Sequence, residues 1–216
     1  MIPVFIIAFN NFTYVRDMVN QLLKHTSNIY IIDNCSSYLP LLEYYEEIKD
    51  NINIVRMDQN YGHLVYKDPT IQALIPGDFY CISDPDLKFN KNLPVDFIEQ
   101  LVTISKKHNA FKLGLALDIT TDIRNDVLHF GKTIKEWESP HWVDRINDDS
   151  YELYFAGVDT TFCVINRAHV TQDVYIRVAG DFTAVHRPWL TYWKQELPID
   201  ELETYKKTST CSNWTN

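Results

Sequence analysis

The first 90 residues alternate between two patterns of apolar and polar positions. Continuous apolar runs are typical of strands buried on both faces, whereas apolar residues every three or four positions are typical of one helix face. The apolar runs lie at residues 3–9, 29–32, 52–55 and from Phe79 onward. The segments with helical spacing lie at 15–23, at 39–48 and in a stretch that ends before Pro76. Four strands that alternate with helices predict a parallel sheet with right-handed crossovers.

The second half of the chain is less regular. Helical spacing covers residues 97–104, and residues 130–150 have no clear period. Further strand candidates lie at 111–117, 161–165 and 174–178. The whole pattern predicts an α/β fold with a mostly parallel central sheet flanked by helices. We expect one domain over residues 1–216, or one α/β domain with a smaller C-terminal lobe.

Composition narrows the class of protein. The chain has 216 residues, of which 45% are hydrophobic, and this is ample for one well-packed core. The net charge of −9 disfavours a nucleic-acid partner, because a phosphate backbone would be repelled. The sequence has no signal-peptide pattern and no apolar run near the roughly 20 residues that span a bilayer. We therefore expect a cytoplasmic protein with no membrane span.

The cysteines also favour a cytoplasmic protein. They are scattered, without a Cys-x-x-Cys pair, at Cys35, Cys81, Cys163 and Cys211. Cys81 and Cys163 lie within apolar strand-like runs, where a small buried thiol is expected. This usage predicts a reducing compartment and neither a zinc site nor a disulfide framework.

The apolar run that begins at Phe79 ends in two carboxylates one residue apart, Asp84 and Asp86. The carboxyl edge of a sheet is where α/β folds place their ligands. Carboxylate oxygens suit Mg²⁺ or Mn²⁺, and such an ion would in turn hold a diphosphate. Pro85 stiffens the turn, because it fixes its own φ and restricts Asp84 to extended geometry. The alternative for so short a motif is a solvated acidic turn.

Polar clusters also follow the other predicted strands of the first half. They are Asn10-Asn11, Asp33-Asn34 and Asn60-Tyr61-Gly62. Since the carboxyl ends of parallel strands meet at one edge, these clusters and the Asp84–Asp86 turn predict a shared site. Asp33 can accept hydrogen bonds from a base or a ribose, or it can cap the turn that follows it.

Several other nucleotide- and metal-binding motifs are missing from the sequence. No Gly-x-Gly-x-x-Gly follows the first strand, and no phosphate-binding loop of the form Gly-x-x-x-x-Gly-Lys-Ser/Thr occurs. The two aspartates do not begin an EF-hand, because Phe89 stands where that loop needs glycine. Dinucleotide-binding folds of the Rossmann kind are therefore disfavoured, and P-loop and EF-hand proteins are excluded.

In this order the clusters resemble those of the GT-A glycosyltransferases, above all the small single-domain enzymes encoded by chlorella viruses. Residues 3–11 resemble the opening strand and its base-contacting loop. The turn at 33–36 resembles the segment that contacts uracil and ribose, and 84–86 resembles the metal-binding Asp-x-Asp. Segments 159–162 and 184–189 also have counterparts. The resemblance implies a GT-A fold with a nucleotide-binding half (1–90) and an acceptor-binding half (91–216).

The resemblance also implies a role for the matched residues. Asp86 would ligate the metal ion, Asp84 would contact the metal or the ribose, and His186 would be a further ligand or a phosphate contact. The nucleotide would be held by Phe9, Asn10, Asn11, Asp33, Asn60, Gly62 and Asp84. An imidazole ligand favours Mn²⁺ over Mg²⁺. His186 can alternatively be a structural histidine.

An inverting transferase needs a carboxylate that takes the proton of the acceptor hydroxyl. We expect Asp159 in this role, since it follows Gly157 at the mouth of the strand predicted at 161–165, and Asp181 is the second candidate. Asp159 can alternatively cap the segment that follows it.

Aromatic and basic residues in the second half can contribute to binding. The tryptophans can stack on sugar rings or lie in the core: Trp137, Trp142 and Trp189. The basic residues can help to hold phosphate, although most are expected to be solvated surface charges: Arg167, Arg177, Arg187, Lys206 and Lys207.

Together these features predict a metal-dependent, inverting glycosyltransferase. It would move a hexose from a UDP-sugar, with UDP-glucose as the first candidate, to a glycan or glycoprotein acceptor, using Mn²⁺ or Mg²⁺. If the protein is viral, it would act on viral glycans in the host cytoplasm. The alternative is a non-catalytic protein of the same fold that binds a nucleotide sugar or a glycan. Nucleotidyl transfer is disfavoured, because it wants a glycine-rich N-terminal loop with a basic residue, and residues 9–13 have neither.

Overall fold

The computed structural model describes residues 1–208. Its first half alternates strands and helices, as the apolar pattern predicts. The strands are β1 (Val4–Ala8), β2 (Ile29–Asp33), β3 (Asn53–Arg56) and β4 (Phe79–Ser83). The helices are α1 (Phe12–Leu22), α2 (Leu39–Ile48) and the short α3 (Pro69–Gln72). The strands run parallel in the order β3-β2-β1-β4, so their carboxyl ends lie along one edge of the sheet.

The third predicted helix is broken into two short pieces. A 3₁₀ helix at Gly62–Lys67 is followed at once by α3. Pro69 disfavours helical geometry at the residue before it, and Asp68 accordingly has a ψ of 137°. The Asp68 carboxylate caps α3 by accepting a hydrogen bond from the amide of Thr70 at 2.8 Å.

The second half completes the sheet and covers it. Its strands are β5 (Leu87–Phe89), β6 (Lys112–Leu117), β7 (Leu128–His129), β8 (Lys132–Thr133), β9 (Arg145–Ile146), β10 (Leu153–Phe155), β11 (Cys163–Asn166) and β12 (Tyr175–His186). Its helices are α4 (Phe97–His108), α5 (Ile134–Glu138) and α6 (Ile199–Thr208). Beyond β4 the sheet continues in the order β11-β6-β12-β10-β9, whereas β7 and β8 form a separate hairpin.

The sheet is mixed, so the expectation of a mostly parallel sheet was wrong. β11 runs antiparallel to both of its neighbours, β4 and β6. β12 is parallel to β6 but antiparallel to β10 and β5. Apolar patterning records burial and not strand direction. β11 begins beside the end of β4, where Cys163 pairs with Ile82, and it therefore runs back against β4.

Segment 156–162, which leads into β11, passes so close to β6 that position 114 has room only for glycine. A Cβ atom on Gly114 would lie 2.6 Å from Cγ1 of Val158 and 3.0 Å from the carbonyl oxygen of Phe162. We expect Gly114→Ala to lower the free energy of unfolding by about 1–3 kcal/mol, as overpacked cores do. Urea unfolding measures this change. Gly77→Ala is the matched control, because nothing lies within 4 Å of the added carbon, and equal stability of the two variants would contradict the clash.

Two further expectations concern the cysteines and the membrane. Cys81 and Cys163 are buried free thiols in β4 and β11, and Cys35 is an exposed free thiol. Cys211 lies outside the described residues. Within residues 1–208, no helix has the length and apolar character needed to cross a bilayer.

Candidate active site

A cavity of about 780 Å³ opens at the carboxyl edge of β1 and β4, where the sequence predicts a shared site. The first half of the chain lines it with residues 7–9, Asn11, Asn34, 60–63 and 84–86. The second half contributes the loop 159–161, the end of β12 and several side chains between residues 117 and 138. The two halves of the chain therefore face one common cavity.

Backbone and side-chain hydrogen bonds fix the turn that carries Asp84 and Asp86. The amide of Asp84 donates to the carbonyl oxygen of Thr160 at 2.8 Å, and the Thr160 hydroxyl donates to Oδ2 of Asp84 at 2.8 Å. On the other side of the turn, the amide of Arg187 donates to the carbonyl oxygen of Asp86 at 2.9 Å. The strand ends β4, β11 and β12 thus hold both carboxylates at the cavity.

The negative charge of this turn is poorly compensated. Oδ2 of Asp86 lies 3.4 Å from Nε2 of His186, while Oδ1 of Asp86 and Nδ1 of His186 are buried and form no hydrogen bond within the described part of the chain. Withdrawal from water and the charge of Asp86 raise the pKa of Asp84 to about 7. Burial by itself lowers the pKa of the His186 imidazole. The charge and the hydrogen bond of Asp86, together with the charges of Asp84 and Glu138, outweigh this effect, so the pKa is raised.

These groups fit a divalent cation. The buried carboxylate oxygen and imidazole nitrogen that lack partners are donor types that Mn²⁺ accepts, and Asp84 adds further oxygens. A cation here would also offset the repulsion between the two carboxylates. Among residues 1–208, no three His, Cys, Asp or Glu side chains converge closely enough to hold an ion by themselves.

The loops after β1, β2 and β3 form one continuous wall of the cavity. Asn34 joins two of them: its Nδ2 donates to the carbonyl oxygen of Gly62 at 3.1 Å, and its Oδ1 accepts from the amide of Tyr61 at 3.2 Å. Phe9, Asn11, Asn60 and Gly62, all predicted nucleotide contacts, line this wall. The structure thus brings four predicted residues together beside the aspartate turn.

Asn10 and Asp33 lie behind this wall and brace its loops. Oδ1 of Asn10 accepts hydrogen bonds from the amides of Ser37 and Tyr38 at 2.8 and 2.9 Å. Asp33 is fully buried and accepts from Tyr45, Arg56 and the amide of Ser36. Neither side chain lines the cavity, so any effect of these two on a ligand would pass through the loops that they hold.

Helix α6, which the sequence pattern did not single out, closes one side of the same region. The buried Glu201 accepts from the amide and the hydroxyl of Thr13 at 2.9 and 2.6 Å. Thr208 accepts from Nδ2 of Asn10 at 2.9 Å and lines the cavity with Tyr205. The far end of the described chain is therefore anchored to the first loop.

The two predicted proton acceptors lie in different places. Asp159 is exposed and lines the cavity, on the loop that is tied to Asp84 through Thr160. Asp181 lies in a separate depression beside Phe182 and 3.4 Å from Nδ2 of Asn92. The geometry therefore joins Asp159, and not Asp181, to the aspartate turn.

A buried ion pair in the cavity wall was missed by the sequence reasoning. Arg177 in β12 donates from Nη1 to Oε1 of Glu138 and from Nε to the carbonyl oxygen of Gly157 at 2.8 Å. Burial raises the pKa of Glu138 to about 7, although the positive charge of Arg177 opposes this shift. The spacing of Thr133 and Glu136, which form a capping box, was the available signal for the helix that carries Glu138.

Two of the basic residues expected at the surface are buried, which corrects their assignment. Arg177 is one, and Arg187 is the other: it pairs with Asp17 at 2.8 Å and Glu196 at 3.0 Å. Arg124, which the sequence reasoning did not consider, is also buried in the cavity wall, and its Nη1 forms no hydrogen bond within the described residues.

Comparisons with known proteins identify the fold. No protein-family model matches the chain, and no curated protein matches it. Among solved structures, GalNAc-T7 with UDP, GalNAc and Mn²⁺ matches 77% of this chain at 15% identity, with a TM-score of 0.52. S. aureus TarS 1–349 in complex with UDP matches 95% of this chain at 12% identity, with a TM-score of 0.48.

GalNAc-T7 is a GT-A glycosyltransferase, and the likeness to it shows that the chain has the α/β fold of this class, built on a mixed sheet. The aligned part covers only 55% of the TarS 1–349 chain and 35% of the GalNAc-T7 chain. Nothing in the comparisons links the chain to chlorella viruses.

Proposed function

We propose that this protein is a metal-dependent glycosyltransferase with a UDP-sugar donor. The observation that carries the proposal is the aspartate turn at the cavity of a GT-A fold, where a buried oxygen of Asp86 has no hydrogen-bond partner among residues 1–208. Neighbours that bind UDP, one of them with Mn²⁺, support the same ligands here.

Asp86, Asp84 and His186 are the residues that would contribute protein ligands to the cation, and the donor diphosphate would complete the site. When bound, Mn²⁺ or Mg²⁺ would supply Lewis-acid stabilisation of the departing diphosphate. The wall of Phe9, Asn11, Asn60 and Gly62 would hold the base and the ribose. Asn10 and Asp33 would act on the same ligand through the loops that they brace.

Asp159 is our candidate for the proton acceptor of an inverting reaction. It would take the proton of the acceptor hydroxyl while that oxygen attacks the anomeric carbon and the diphosphate leaves. Its place on the cavity wall supports this role, whereas Asp181 lies in another depression.

We propose that residues 1–90 form the nucleotide-binding half of the protein and residues 91–216 the acceptor-binding half. The donor would carry a hexose, with UDP-glucose as the first candidate, and the acceptor would be a glycan or a glycoprotein.

Thermal unfolding with nucleotides tests the proposal. Mn²⁺ with UDP at about 100 times its Kd is expected to stabilise the protein by about 2.7 kcal/mol, because the complex forms only with the folded chain. UDP in EDTA should stabilise it much less. Equal shifts in both buffers would contradict metal dependence, and tighter binding of GDP or CMP than of UDP would contradict the uracil assignment. Turnover of the UDP-sugar with Mn²⁺ distinguishes an enzyme from a binding protein.

A further inference from the structure

The segment 128–138 brings a buried carboxylate and aromatic rings to the cavity through His129, Trp137 and Glu138, and the exposed ring of Phe130 packs beside them. Trp137 and Glu138 are neighbours in α5, and both line the cavity. Glu138 is 1% exposed, whereas Trp137 is 36% exposed. The ring of His129 lies 4.2 Å from the Trp137 ring, and that of Phe130 lies 5.6 Å from it. An aromatic surface and a buried carboxylate therefore both border the cavity.

Only one oxygen of Glu138 is occupied by the protein. Oε1 accepts the hydrogen bond from Arg177, and Oε2 has no hydrogen-bond partner within residues 1–208. Arg177 keeps the carboxylate in place, since it also donates to the carbonyl oxygen of Gly157. A buried carboxylate oxygen at a cavity is a strong and oriented acceptor for a ligand hydroxyl.

Phe130 occupies a position that folding alone does not favour. It lies at the tip of the β7–β8 hairpin with a φ of 49° and is 84% exposed. A two-residue turn of this kind needs a positive φ at both positions, which asparagine and glycine adopt more readily than a bulky residue. The exposed ring buries little surface in the fold, so a contact with a ligand would explain its presence at the tip.

A pyranose ring has the matching chemistry. Its faces carry C–H bonds that pack on an indole, while its rim carries hydroxyls that donate to a carboxylate. A nucleotide base could also stack on an indole, but the proposed nucleotide wall is formed by the loops after β1, β2 and β3, whereas Trp137 and Glu138 come from the second half of the chain. A site built from one indole and one oriented carboxylate is thus suited to a sugar ring.

We propose that Trp137 and Glu138 bind a sugar ring of the acceptor, with the ring stacked on Trp137 and one hydroxyl donated to Oε2 of Glu138. Phe130 extends the aromatic surface towards the next residue of the saccharide. The inference rests on the proposed transferase function, and it identifies the acceptor as a carbohydrate.

Saturation-transfer difference NMR tests this site with methyl glycosides of glucose, galactose, mannose, xylose and fucose, on the full chain with UDP and Mg²⁺. At least one glycoside should receive saturation, most strongly at the C–H protons of one ring face. Trp137→Ala should raise its Kd by about 10-fold or more, equivalent to about 1.4 kcal/mol. Trp137→Phe should retain part of the affinity, because an aromatic face remains. Glu138→Gln should weaken binding and retain the shape of the site.

Phe155→Ala is the matched control for Phe130→Ala, because Phe155 is also exposed, at 48%, but its ring does not contact the rings of His129 and Trp137 as Phe130 does. Only the Phe130 variant should bind a methyl disaccharide more weakly.

Unchanged glycoside binding in Trp137→Ala would overturn the proposal, and so would a protein that binds UDP but no glycoside. Glu138→Gln with unchanged Kd and slower turnover would also overturn it, since Glu138 would then act on the proton. The UDP protons in the same spectra report separately on the proposed donor site. If they receive no saturation from the protein, the proposed transferase function is contradicted, and the acceptor site that rests on it is contradicted as well.

Discussion

Asp86→Asn is expected to abolish the stabilisation by UDP and Mn²⁺ and to lower transferase activity by about 10²–10³-fold. The substitution removes the charge of a carboxylate whose Oδ1 has no partner in the described structure and which would ligate the cation. Metal stabilisation of a leaving diphosphate is worth several kcal/mol, and each 1.36 kcal/mol is about tenfold in rate. Thermal unfolding with UDP in Mn²⁺ and in EDTA measures the first effect, and initial rates measure the second.

The variant itself should fold cooperatively, because asparagine retains the shape of aspartate and removes a charge that repels Asp84. Asp50→Asn is the matched control: this exposed carboxylate follows α2 and does not line the cavity, and its loss should leave the metal-dependent shift intact. If Asp86→Asn responds to UDP and Mn²⁺ like the unmodified protein, Asp86 is not a metal ligand. If it fails to fold, Asp86 has a structural role, and the assignment is equally wrong.

The parts of the site that the sequence could predict are those carried by single strands. β4 is a short apolar run rich in strand-forming residues whose end is marked by Asp84 and Asp86, and its length and its bounding turn residues indicate a buried strand. α2 begins and ends where the helical spacing predicts, at Leu39 and Ile48. These features depend on residues that are close together in the chain, and they can therefore be predicted from the local sequence.

The parts that could not be predicted depend on contacts between distant residues. Glu138 and Arg177 are 39 positions apart, and each resembles a surface charge until the fold buries them together. The direction of β11 depends on where its preceding segment crosses the sheet, which no local pattern records. Asn10 and Asp33 were correctly placed at strand ends, but a polar side chain there can turn towards a ligand or towards loop amides. In this structure both turn to the loops.

Asp159→Asn is expected to lower kcat by about 10²-fold or more while UDP affinity is retained. Asparagine is the same size and still forms hydrogen bonds, but it cannot take a proton at neutral pH. Asp159 shares the cavity with Asp84 and Asp86. Its replacement by asparagine removes a negative charge and therefore adds no repulsion of the donor diphosphate. An effect on kcat without an effect on donor binding indicates an interaction made mainly in the transition state. Steady-state kinetics and UDP titration measure the two quantities.

Asp181→Asn is the matched control, because this carboxylate lies in a separate depression and its loss should leave kcat unchanged. The opposite result, with Asp181→Asn slow and Asp159→Asn active, would transfer the role to Asp181. Weaker donor binding with unchanged kcat in Asp159→Asn would make Asp159 a contact to the donor sugar. The stereochemistry of the product is the stricter test, since only direct attack by the acceptor oxygen inverts the anomeric carbon. A retained configuration would therefore exclude Asp159 as the base of such an attack, even if the variant is slow.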